Sequence, residues 1–121
     1  MPVLSLHYRV PAEGAFNIDY YCDDHLALVE RVWGRFLTRV DVLKGESGLP
    51  PRQPAEFALI ALLHFASEAD LASALAHPDA ALLHKDIAHF SSVAPTAQIN
   101  SVLHTRASLN AVRAVCQEGR S

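Results

Sequence analysis

The nine residues FALIALLHF, Phe57 to Phe65, carry apolar side chains at odd and even positions alike, so an extended backbone there presents apolar surface on both sides. Such a run suits a strand in the middle of a sheet. The letters around it set its limits. Upstream lies GESGLPPRQPAE (45–56), whose two glycines and three prolines forbid regular structure. Downstream, SEAD (67–70) is a helix start, with Ser67 as cap and Asp70 reaching back to it.

The other elements arrange themselves about this strand. VLSLHYRV (3–10) alternates, with Leu4, Leu6, Tyr8 and Val10 on one side and Val3, Ser5, His7 and Arg9 on the other. Pro11 and Gly14 end it. Helical spacing then runs from about Ala15 to Trp33 and stops at Gly34, a residue suited to lie just past a helix end. FLTRVDVLK (36–44) is β-branched and alternating, a second strand. The helix begun at Ser67 should stop near His77, before Pro78, and PDAALLHKDIAHF forms a short second helix with Asp79 at its positive end. TAQINSVLH (96–104) alternates again, and the tail from Ala107 has at most a short helix.

The order is βαββαβ, the split βαβ arrangement of a ferredoxin-like sandwich. This is an α+β fold with a four-stranded antiparallel sheet and its helices on one face. A chain of 121 residues supports one domain, with a core over about 3–105 and a C-terminal tail over 106–121. The sheet face without helices needs a cover, because exposed apolar sheet associates. A second copy of the chain is the simplest cover, giving a homodimer whose two sheets enclose a space. The 45–56 loop is either a cover for a binding site or a plain connector.

Several functional classes are disfavoured. The formal net charge is -3 and no basic face recurs, so nucleic acid finds no electrostatic footprint. The run FALIALL is far too short to span a membrane, and no basic-then-apolar leader opens the sequence, so neither membrane nor export is expected and the expected compartment is the cytoplasm. Cys22 and Cys116 are widely spaced, which suits reduced thiols. His84 and His89, five apart, do not aim at one ion, and no metal site is expected. No cofactor-binding motif is present.

One histidine stands out. On a wheel of about 100° per residue, Ile18, Cys22, His25, Val29 and Val32 share an arc, with Tyr21, Leu28 and Trp33 at its borders. His25 should therefore point at the sheet, where an unpartnered ring costs about 1–3 kcal/mol. Its expected partners are Tyr21 or a polar group on a strand or on the second helix. Either it locks helix to sheet, or it serves as a tuned acid or base. On the same wheel Cys22 is a packing residue, lacking the exposed setting that favours a thiolate.

These residues also resemble a known family. FNIDYYCDDHLALV, PAEFALIALLHFASEADLASALAHPDAALLHKDIAHF and APTAQINSVL are similar to the EthD family of dimeric α+β barrel proteins, over most of the chain. The family's tyrosine pair and histidine correspond to Tyr20, Tyr21 and His25. Its Asp-Ile-x-Asn-Tyr/Phe signature corresponds to Asp86–Phe90, with His89 in place of the asparagine, and its Gln-Ile pair to Gln98 and Ile99. Ala27 replaces a customary proline.

The resemblance implies a homodimer with a barrel-like interior and a small organic ligand. The expected chemistry is acid or base work by His25, with Tyr21 and Asp86 orienting it or the substrate. Asp86 has a plainer alternative, bonding a nearby backbone amide. His7, Arg39, His64, Asn100 and His104 are candidates to hydrogen-bond a substrate from strand positions, with solvent or interface roles as the alternative, and His89 is a candidate at the pocket rim. A non-catalytic carrier or accessory subunit is the competing reading. A cavity lined by His25 favours the enzyme, and a filled barrel the accessory.

Overall fold

The computed structural model describes residues 1–106. Along the chain run β1 (Pro2–Arg9), α1 (Ile18–Tyr20), a π-helical turn (Tyr21–His25), α2 (Leu26–Trp33), a 3-10 turn (Gly34–Phe36) and β2 (Leu37–Lys44). Then come β3 (Phe57–Phe65), α3 (Glu68–Leu75), α4 (Ala80–Asp86), a second 3-10 turn (Ile87–His89) and β4 (Thr96–Ser101). The expected tail helix and Cys116 lie outside the described residues.

The four strands form one antiparallel sheet in the order β2-β3-β1-β4, the ferredoxin-like arrangement read from the sequence. β3 is a central strand, bonded to β1 and β2. Its two faces differ. Leu59, Ala61, Leu63 and Phe65 are buried under the helices, whereas Ile60, Leu62 and His64 are half-buried on the open side. Within one chain only one face of FALIALLHF is covered.

The helix-covered core falls into two clusters. Val32, Trp33, Phe36, Phe65, Leu71 and Ala74 gather at one end, where the Trp33 indole N–H donates to the Ala74 carbonyl at 2.8 Å and ties α2 to α3. Tyr8, Tyr21, Leu59, Ala61 and Phe90 gather at the other. Truncating a fully buried leucine such as Leu63 to alanine should cost about 2–5 kcal/mol.

Local signals act as their chemistry demands. Ser67 Oγ accepts the Asp70 backbone N–H at 3.0 Å, but its hydroxyl donates to the Asp70 carboxylate at 3.1 Å, so that carboxylate meets the cap side chain. Gly34 lies just past the end of α2, as read from the sequence, and opens a 3-10 turn at φ −50°. Gly45 is required by space, since a Cβ there would stand 1.9 Å from the Phe57 carbonyl oxygen. β4 ends at Ser101, earlier than the expected residue 104, and Leu103 and His104 are exposed beyond it. No described helix is long and apolar enough to cross a membrane.

Candidate active site

The site is built around an irregular helix. Asn17 caps its start, Oδ1 accepting the Tyr20 backbone N–H at 3.0 Å, while Asn17 N–H donates to the Phe90 carbonyl at 2.9 Å and fixes the helix end against the segment after α4. From Tyr21 the helix widens, and the Leu26 N–H bonds back five residues to the Tyr21 carbonyl. This π turn decides which side chains meet. In a regular α-helix, residues five apart diverge by about 140°. Here Tyr20 and His25 reach the same carboxylate.

That carboxylate is Asp86, at the end of α4. One oxygen accepts the Tyr20 hydroxyl at 2.7 Å and the other accepts His25 Nδ1–H at 2.8 Å. His25 is 3% exposed and sandwiched by aromatic rings, with Phe90 at 4.6 Å and Tyr21 at 5.0 Å between centroids. The Tyr21 hydroxyl is not part of this chain. Of the partners expected for His25, the polar group on the second helix is the one found, as Asp86, and Tyr20 rather than Tyr21 shares that carboxylate. Tyr21 is buried in the core and Cys22 is turned out to solvent. Cys22 is therefore exposed, not the packing residue that the regular wheel implied.

The charges follow from the surroundings. Burial pushes the His25 pKa below 6.5, outweighing the hydrogen bond and charge of Asp86, which pull upward. Burial would raise Asp86, but the bonds from Tyr20 and His25 prevail and hold its carboxyl below 3.8. Its hydrogen bond to Asp86 lifts Tyr20 to about 12. Around neutral pH the chain is thus a phenol and a neutral imidazole donating to a carboxylate. Nδ1 carries the imidazole proton and Nε2 holds a free lone pair.

His25 lines a partly open cavity of about 320 Å³ between the helices and the sheet. Leu6, Val29, Trp33, Leu63, Leu83 and Ile87 make most of its wall apolar, with Tyr8, Tyr21, His25 and His84 as its polar members. Two wider hollows elsewhere, one near Met1 and Glu68 and one between Asn17 and Ser92, are more open, and neither reaches His25.

The resemblance implies a barrel-like interior with acid or base work by His25, but the cavity that His25 lines is not a space between two sheets. His25 descends from a helix onto its own sheet, and the sheet separates it from the open face. His7, Arg39, His64 and Asn100 all lie on that opposite face, by the pairings Val3 with His64 and Asn100, and Arg39 with His64. They cannot share a pocket with His25. There His7 Nε2 meets Ser5 Oγ at 3.1 Å, Asp41 forms an ion pair with Arg39 at 2.8 Å and meets His64 Nε2 at 3.1 Å, and Asn100 donates to Ser5 Oγ at 3.0 Å. His104 stands beyond β4, away from the cavity. His89 is exposed and stacks on Tyr20 at 5.5 Å, behind the carboxylate and outside the cavity lining. No residue of the 45–56 loop lines the cavity.

Sequence reasoning missed Tyr8 and Tyr20. Tyr8 had a readable signal, as the one polar-headed residue on the apolar side of β1. Tyr20 was marked only as one of the resemblance's tyrosine pair and given no role, because its reach to Asp86 depends on the π turn. Among the described residues no three His, Cys, Asp or Glu side chains stand close enough to hold a metal ion.

Comparison with known proteins agrees with the fold. No family model matches the sequence, and no curated protein does. Among solved structures, an EthD-like protein from Ralstonia eutropha superposes with a TM-score of 0.78 at 26% identity, over 87% of this chain and 94% of that one. An EthD family protein from Bacillus halodurans gives 0.66 at 20% identity, over 85% and 99%. A protein from Arabidopsis thaliana gives 0.57 at 14% identity, over 89% and 98%, a likeness of fold alone.

Proposed function

Taking the chain as an EthD-like protein, we propose that it binds a small, largely apolar, oxygenated organic molecule in the helix–sheet cavity. There it catalyses acid/base chemistry without a cofactor: an isomerisation, cyclisation or oxygenation within a degradative or biosynthetic pathway of the cytoplasm. His25 Nε2 is the base, and Asp86, bridged to Tyr20, holds its ring and tautomer. The carrying observation is that the Tyr20–Asp86–His25 chain ends at the wall of an apolar cavity. A buried histidine serving only to lock helix to sheet needs no such space.

The working unit in this reading is a homodimer joined through the open sheet face, where Ile60 and Leu62 remain half-buried. Light scattering at micromolar concentration should report two protomers. Catalysis is tested with 2-tetralone, an apolar two-ring ketone, by following deuterium uptake at its α-carbon. His25→Asn should slow uptake about 100- to 10,000-fold while the chain still binds 2-naphthol. Unchanged uptake removes the base and leaves the carrier reading.

A further inference from the structure

Three residues of the cavity wall carry polar atoms that share an unusual condition. The Tyr8 and Tyr21 hydroxyls and His25 Nε2 belong to side chains only 1%, 1% and 3% exposed. None makes a hydrogen bond among the described residues, where polar groups this buried ordinarily do. Yet no described side-chain nitrogen or oxygen is both fully buried and without a partner. Each of the three therefore keeps a small accessible surface, and the cavity is the space that all three residues line.

Their positions are fixed from separate elements. Tyr8 comes from β1 and Tyr21 from the π turn, with ring centroids 5.8 Å apart, and Tyr21 in turn lies 5.0 Å from His25. Phe90 contacts all three rings at 4.6–5.5 Å and prevents them from swinging to other partners. Burial raises both phenol pKa values far above neutrality, and for Tyr21 the neighbouring Tyr8 adds to the effect. Both phenols stay protonated as donors while the imidazole stays a base. Two donors beside one base can stabilise the oxygen charge that develops when a proton is taken from next to a carbonyl.

We propose that Tyr8 and Tyr21 jointly grip the carbonyl oxygen of a neutral, enolisable ketone, whose α-proton His25 removes. The α C–H bond breaks and the proton joins Nε2. The electron pair forms the C=C bond as the carbonyl π pair moves to oxygen, and the resulting enolate is held by the two phenol O–H groups. Return of the proton from Nε2 to carbon or oxygen closes the balance, with no oxidant or reductant. The ligand is neutral because, among the described residues, no lysine or arginine lines the cavity to offset a carboxylate or phosphate. A volume of about 320 Å³ suits one or two rings.

This assignment rests on the proposed function, and its test separates the two. Binding of 2-naphthol, which carries an enol-like oxygen, is compared with naphthalene in the full chain and in Tyr8→Phe, Tyr21→Phe, the double variant and His25→Asn, alongside deuterium uptake by 2-tetralone. Near-UV circular dichroism checks that each variant is folded. The wild type should prefer 2-naphthol over naphthalene. Each Tyr→Phe change should cut that preference about 10-fold and slow uptake about 100-fold, leaving naphthalene binding unchanged. Equal binding of the two compounds by the wild type overturns the grip, as does retention of preference and uptake by the double variant. If the tyrosine variants behave as expected but His25→Asn exchanges like wild type, the grip stands and the base assignment falls. If His25→Asn loses uptake while the double variant keeps preference and uptake, the base stands and the grip falls.

Discussion

The two faces of the sheet use similar residues to opposite ends. On the open face Ser5, His7, Arg39, Asp41, His64 and Asn100 are engaged with one another, side chain to side chain. Under the helices one histidine is also engaged, but through one nitrogen only, and beside it two tyrosine hydroxyls have no partner among the described residues. The lesson is that histidine number does not mark a site. On the reading proposed above, what marks it is polar capacity left over beside an apolar cavity, where a ligand rather than the protein completes the hydrogen bonds.

The sharpest way to break this contrast is to make the same change on each face. His25→Asn should reduce 2-tetralone exchange about 100- to 10,000-fold, whereas His64→Asn should leave it within about twofold, as measured by NMR. Equal losses would mean that both faces serve the reaction. Asp86→Ala comes next. It leaves the buried His25 N–H without its acceptor and should destabilise the fold by about 1–3 kcal/mol in urea titration. Tyr20→Phe should move the midpoint in the same direction by less, since Asp86 keeps its bond from His25.

Acid should distinguish the faces as well. His25 has a folded pKa below 6.5 and Asp86 one below 3.8, so the unfolded chain binds more protons than the folded one in both ranges. Their stabilisation is complete above about pH 6.5 and is lost as pH falls, first through the histidine range and then through the carboxylate range. Urea midpoints at pH 8, 6 and 5 should therefore decline in the wild type, and the pH 8 to 5 decline should be shallower in His25→Asn. The smallest effect belongs to the open face. Asp41→Ala breaks contacts to the exposed Arg39 and half-buried His64 and should cost about 0–1 kcal/mol.

Much of the fold was legible because its signals are local and periodic. β1 declares its two faces by strict alternation, Ser67 declares a helix start through a side chain that can cap the backbone three residues on, and FALIALLHF declares a central strand by carrying apolar residues on both faces. The inward aim of His25 followed from the same periodicity. What failed depended on departures from period. An α-helical wheel has no place for a π turn, so it put Cys22 inside, set Tyr21 at a border and hid the reach of Tyr20. The face on which each strand histidine lies was readable from alternation, but which face holds the cavity depends on where the helices leave a gap. That is a matter of tertiary packing between Phe90, Tyr21 and β1, which no short stretch of letters encodes.

The account turns on where a ligand goes and which nitrogen awaits it. Ring-nitrogen NMR of the imidazoles, recorded near pH 7.5 during titration with 2-naphthol, reads both at once. We expect His25 to appear as the neutral Nδ1–H tautomer and its Nε2 signal to move as 2-naphthol is added, with His7 and His64 unmoved. An Nε2–H or doubly protonated His25 would remove the proposed base, and a titration that shifts His7 and His64 while His25 stays still would place the working surface on the other side of the sheet.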